Sequence, residues 1–146
     1  ILKSDSLQHT QIGNTQSLKK ELEQELILIA ESENELLLLF RTFLTSLGMN
    51  TETASNGHEA LDRFIESKEN GRHYDVIVVD THLLDPAGLE VAKTIRREKP
   101  DQKLVVVTTT PIENLPAECL KTAGIKDIDI LTMPFKLSKL GQVLRN

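Results

Sequence analysis

Asp75-Val76-Ile77-Val78-Val79-Asp80 is the stretch on which the fold turns: four consecutive apolar residues framed by two acids. A strand with one face in water alternates apolar and polar side chains. An unbroken apolar run therefore marks a strand covered on both faces, as in a parallel sheet. Two further runs share this character, Leu26-Ile27-Leu28-Ile29-Ala30 upstream and Leu104-Val105-Val106-Val107 downstream. Amphipathic helices fill the gaps. Leu37, Phe40, Leu44 and Leu47 form one stripe, closed by Gly48. Thr51-Glu52-Thr53-Ala54 reads as a short edge-side strand, and Asn56-Gly57-His58-Glu59 has the spacing of a capping box. The helix it opens should turn Ala60, Leu61, Phe64 and Ile65 inward. After Val79 a loop runs to Gly88, and the helix that follows ends near Lys99, ahead of Pro100. Pro116 would break a helix begun at Thr110-Pro111-Ile112-Glu113, so the next helix is expected from near Asn114 to Gly124. Ile128 to Thr132 is the last expected strand, and Leu137, Leu140 and Leu144 mark the last helix. Strands that alternate with helices give an α/β sheet, all parallel by the right-handed crossover rule.

Composition narrows the class. A chain of 146 residues suits one domain with a sizeable core. Hydrophobic residues make up 39% and aromatic residues only 3%, so Leu, Ile and Val must build that core. The net charge of -5 argues against direct nucleic-acid binding, which needs a basic face. The single cysteine, Cys119, excludes an internal disulfide and fits a reducing compartment. It reads as a small hydrophobe on a helix face. Residues 1–24 are expected to be a linker or tail: polar and aperiodic at first, then a short helix over Ser17 to Glu25, with Leu18 and Leu22 one turn apart. The domain proper is expected at residues 25–146. The most apolar stretch, Leu26 to Leu47, is interrupted by Glu31, Glu33, Glu35 and Arg41, so no membrane span or membrane partner is expected. The N-terminus lacks the basic-then-apolar order of a secretory signal, and a cytoplasmic location follows. The chain begins at Ile1 without a Met and reads as a piece of a longer protein.

Chemistry in an open parallel sheet gathers beyond the C-terminal ends of its strands. The residues that leave the apolar runs are Glu31, Ser32 and Glu33 after the first, Asp80 after the third, Thr108 after the fourth, and Met133-Pro134 after the fifth. Two acids and a hydroxyl at one rim suit a hard divalent cation such as Mg2+. An Asp beside such a cation can act as a nucleophile toward phosphorus, with the threonine hydroxyl donating to a phosphoryl oxygen. The plainer alternative is that these polar residues cap helices and close turns.

Taken in order, Ile27-Leu28-Ile29-Ala30-Glu31-Ser32-Glu33, Ala54-Ser55-Asn56-Gly57-His58-Glu59-Ala60-Leu61, Asp75 to Asp80 with Gly88 beyond, Val105-Val106-Val107-Thr108, Ala123-Gly124 and Pro134-Phe135 resemble the successive motifs of the CheY-like receiver domain of two-component response regulators. The resemblance runs from about residue 25 to the C-terminus. It implies a flavodoxin-like, doubly wound five-stranded parallel sheet of order 2-1-3-4-5 with helices on both faces. It implies a phosphoryl group taken onto Asp80 from a histidine kinase or phosphotransfer protein, so the domain signals and catalyses at most its own phosphorylation and dephosphorylation. Mg2+ would be held by Glu31, Asp80, the backbone carbonyl of His82 and, weakly or through water, Ser32. Thr108 matches the switch hydroxyl. The face of the last two helices and last strand would meet a downstream effector, a fused domain or the second copy of a homodimer. A cis peptide is expected between Met133 and Pro134.

The departures are as informative. Ser32 stands at the family's second acidic position, Met133 where a lysine binds the phosphoryl group, Ile130 at the switch aromatic, and Leu84 where a loop proline is common. Lys136 lies past Pro134 at a helix start, badly placed to replace the lysine. The alternative reading is therefore a pseudo-receiver, a phosphorylation-independent protein-interaction module. Flavin binding would need a Ser-, Thr- or Gly-rich loop where Glu31-Ser32-Glu33-Asn34 stands, and an Asp-x-Asp phosphatase would need a second aspartate at His82. His9, His58 and His73 read as surface residues; His82 alone lies beside the site.

Overall fold

The computed structural model describes residues 25–145. The expected tail and short helix over residues 1–24 lie outside the described residues. The described chain alternates strand and helix throughout: β1 (Leu26–Ala30), α1 (Asn34–Ser46), β2 (Asn50–Ala54), α2 (Gly57–Glu69), β3 (Val76–Asp80), α3 (Gly88–Glu98), β4 (Lys103–Thr108), α4 (Ala117–Thr122), β5 (Ile130–Thr132) and α5 (Leu137–Arg145). All neighbouring strands are parallel, in the order β2-β1-β3-β4-β5. This is the flavodoxin-like, doubly wound arrangement expected.

The apolar runs are buried on both faces because successive side chains feed two separate cores. Leu28, Ile77, Val79, Leu104 and Val106 pack under α2, α3 and α4 together with Phe64, Ala92 and Ile95. Ile27, Ile29, Val78, Val105 and Val107 pack under α1 and α5 together with Phe40, Leu44, Leu140 and Leu144. With so few aromatics, Phe40 and Phe64 are the largest fully buried side chains. Truncating either to Ala would cost about 3–5 kcal/mol.

Several local expectations are corrected. The last strand is shorter than Ile128 to Thr132: residues Asp127–Asp129 form a 3-10 turn instead, and Ile128 is 60% exposed. The Asp129 carboxylate accepts the Lys126 amide at 3.4 Å, a turn that competes with extension. The helix expected from Asn114 is divided, with a 3-10 turn at Ile112–Asn114 and α4 beginning only at Ala117. Pro116 occupies the N-cap, where its missing N–H costs nothing. Ile65 points outward, and Ser67 is buried instead, bonded to the Phe64 carbonyl at 2.7 Å. In the capping box Asn56 accepts the Glu59 amide as expected, but Glu59 reaches back to Ser55 rather than Asn56. The peptide between Met133 and Pro134 is cis, as is that between Asp85 and Pro86.

Candidate functional site

Parallel pairing continues one residue past the strands at the C-terminal rim. Glu31 N–H donates to Ala54 O at 2.9 Å, Thr81 N–H to Val107 O at 2.9 Å, and Met133 N–H to Thr108 O at 2.7 Å. Glu31, Asp80 and Thr108 are thereby fixed where the sheet ends, and all three are buried. Ser32 is exposed, as is Glu33.

Asp80 closes β3 between β1 and β4, and the turn after it is built around its own atoms. Leu83 N–H donates to Asp80 O at 3.1 Å, and His82 N–H donates to Asp80 Oδ1 at 2.7 Å. Two glycines allow the loop to lie so close. A Cβ on Gly88 would stand 2.1 Å from Asp80 O, and one on Gly57 would stand 2.2 Å from Pro86 O. No side chain fits at either point. Gly57 N–H also donates to Leu84 O at 2.7 Å, so α2 holds the loop from the far side.

Glu31 is 2% exposed. Its Oε2 accepts the Glu33 amide at 3.0 Å, while its Oε1 is buried with no hydrogen-bond partner. Burial first, then the neighbouring Asp80 carboxylate, push its pKa from the ordinary 4.5 to about 8; the Glu33 amide pulls the other way. A buried acceptor atom without a donor, beside a second carboxylate, is what a hard cation completes. Among the described residues no group of three or more His, Cys, Asp and Glu side chains is arranged to hold a metal. The donor set is thus two carboxylates, with carbonyls and waters for the remainder. That set fits Mg2+ and does not fit a structural zinc.

Thr108 is brought to the rim, but its partner is not Asp80. The register sets Asp80 opposite Val107, so the next pair outward is Thr81 with Thr108. Thr81 Oγ1 donates to Thr108 Oγ1 at 2.8 Å, and the Thr110 amide donates to the same oxygen at 3.0 Å. Sequence reasoning passed over Thr81. Its signal was a second threonine beside a strand end, which gains meaning only once the register is known.

Met133 is half-buried against the core of α1 and α5, and Phe135 stacks on Phe40 with centroids 6.1 Å apart. Lys136 is exposed ahead of α5, its carbonyl accepting the Lys139 amide. Among the described residues the one basic side chain paired with Asp80 is His82, with Nδ1 3.3 Å from Oδ1. Beside it a cleft of about 330 Å3 opens between α3 and α4.

The sheet order and the acidic rim define a receiver-type α/β domain. Residues 27–145 match the response regulator receiver domain, and the chain belongs to that family. As such it is a signalling module of two-component systems rather than a conventional enzyme. It is 28% identical over 127 residues to the sensory transduction protein LytT of Oceanobacillus iheyensis, covering 87% of this chain and 42% of that protein. It is 27% identical over 135 residues to two-component response regulator 24 of Arabidopsis thaliana, covering 86% of this chain and 92% of that one. The chain thus spans under half of one relative and nearly all of another. Response regulator TrrA of Thermotoga maritima, solved with Mg2+ and beryllofluoride, superposes with a TM-score of 0.70 at 26% identity, over 84% of this chain and 97% of that one. Among the described residues no helix is long and apolar enough to cross a membrane.

Proposed function

We propose that this domain is a phosphorylatable receiver in which Asp80 takes a phosphoryl group from a histidine kinase or phosphotransfer protein. One observation carries the reading: Asp80 ends the central strand, with Oδ1 held by the His82 amide at 2.7 Å and a buried, unpartnered Glu31 oxygen at the same rim. An Asp80 oxygen forms the new bond to phosphorus as the bond from phosphorus to the donor breaks, and the donor keeps that electron pair. The His82 amide aims the carboxylate, and the glycine-lined turn holds that aim. Glu31, Asp80 and the His82 carbonyl would hold Mg2+, with Ser32 reached through water. Bound there, Mg2+ neutralises charge on the transferring group. Thr108 Oγ1 accepts from Thr81 and from the Thr110 amide, so its own O–H is left to donate to a phosphoryl oxygen. The surface of α4, β5 and α5 serves a downstream effector, a fused domain or a second copy. Residues 1–24 are the linker into the receiver at 25–146, and the compartment is the cytoplasm.

Intact mass after treatment with acetyl phosphate and Mg2+ tests this. One phosphoryl adduct is expected on the parent and none on Asp80→Asn; an adduct that survives in Asp80→Asn refutes the assignment. The second reading, a pseudo-receiver that docks its partner without phosphorylation, is favoured by the packing of Met133 into the core. It predicts no adduct and no response to beryllofluoride.

A further inference from the structure

The rim has a place for anionic oxygens and, among the described residues, no lysine side chain paired with Asp80 to meet them. Met133 is half-buried against the core of α1 and α5, and Lys136 is exposed beyond Pro134. The His82 side chain is different. Its backbone amide already holds Asp80 Oδ1, and its ring Nδ1 stands 3.3 Å from the same oxygen and 3.5 Å from Thr81 Oγ1. The ring is 59% exposed, and it lines the cleft with Thr81 and Thr110, so it can turn without disturbing either core. A phosphoryl group on Asp80 adds anionic oxygens next to a carboxylate whose Oδ1 is 3.3 Å from this ring. An imidazole always has at least one N–H to donate, whatever its charge.

We propose that the His82 imidazole N–H is the phosphoryl-oxygen donor of this site, placed beside Asp80 where Met133 supplies none. The ring then touches the transferring group directly and is a catalytic residue, distinct from the backbone atoms of His82 that aim the carboxylate. This rests on the reading of Asp80 as the acceptor. A hydrogen bond to a charged group changes an equilibrium about tenfold to a hundredfold, and the ring's exposure places His82 toward the lower end. His82→Phe keeps the ring's size and removes the donor, while His82→Gln keeps a neutral N–H.

Parent, His82→Phe and His82→Gln are compared by the rate of adduct formation from acetyl phosphate and by beryllofluoride affinity, both in Mg2+. Expected are a loss of about tenfold in both quantities for His82→Phe and recovery of most of it in His82→Gln. Equal rates and affinities for parent and His82→Phe overturn the proposal while leaving Asp80 as acceptor. So does a His82→Gln no better than His82→Phe. A parent that takes neither adduct nor beryllofluoride overturns both readings together.

Discussion

Glu31 is the group through which pH should reach this fold. Its carboxyl is buried, one oxygen has no partner, and burial with the neighbouring Asp80 raises its pKa from 4.5 to about 8. The folded chain therefore binds this proton more tightly than the unfolded chain. Its stabilisation is complete below pH 4.5 and is lost as pH rises through about 8. At about 1.36 kcal/mol per unit, the shift from 4.5 to about 8 sets a ceiling near 5 kcal/mol. Relaxation and water at the rim lower the realised value to ~2–4 kcal/mol, in keeping with an effective penalty of several kcal/mol per buried ion. Glu31→Gln keeps the shape, still accepts the Glu33 amide, and offers Asp80 an N–H. In urea unfolding without divalent cations it should match the parent near pH 5 and exceed it by ~2–4 kcal/mol at pH 8. With a slope of about 2 kcal/mol per molar urea, the midpoint rises by about 1–2 M. Glu59 and Asp101 have lowered values, so their contributions vanish only as pH falls below this window. A gap that fails to widen from pH 5 to pH 8 would refute the reasoning.

Three further outcomes are expected. Thr81→Val removes the donor to Thr108 and should cost about 1 kcal/mol of stability, measured by thermal unfolding. Gly88→Ala places a methyl 2.1 Å from the Asp80 carbonyl and should cost ~3 kcal/mol or abolish folding, read from the urea midpoint. Ser32→Asp with Met133→Lys should raise phosphoryl occupancy of Asp80 above either single change, by intact mass. The Met133→Lys component should also lower stability by about 1 kcal/mol for lost apolar burial.

The architecture was legible in the sequence because both-face burial has a plain signature. Ile27 to Ala30 and Val76 to Val79 are apolar at every position, and only a strand between two helix layers needs that. The misread segments are those where local chemistry competes with pattern. Ile128 looked like strand by its neighbours, but the acids on either side favour a turn. Ile65 fitted the helical stripe, yet α2 lies at an angle that buries Ser67 in its stead. At the rim, the placement of Glu31, Asp80 and Thr108 followed from strand ends alone. The Thr81–Thr108 bond did not, because a one-residue change of register exchanges one set of neighbours for another. The missing partner of Glu31 Oε1 was equally out of reach, since burial of one oxygen is a property of packing.

Two losses at the rim, an acid at Ser32 and a cation at Met133, look compensating when formal charges alone are counted. The structure alters that count. With a pKa of about 8, Glu31 is mostly protonated at pH 7, so the acidic pair carries nearer one negative charge than two. A lysine at Met133 would then face little negative charge in the resting domain, and its ammonium would sit against the α1–α5 core. Desolvation would oppose it there, and an apolar side chain serves the resting fold better. The demand reverses when a cation or a phosphoryl group arrives. Divalent cation binding must first expel the Glu31 proton, so it should tighten as pH rises toward 8. A phosphoryl group adds negative charge, and a lysine about 4 Å away would contribute on the order of 4 kcal/mol at an effective dielectric near 20. The resting state is therefore relieved of strain by the same substitutions that leave the phosphorylated state short of positive charge. That shortfall falls on His82, the one basic side chain paired with Asp80 among the described residues.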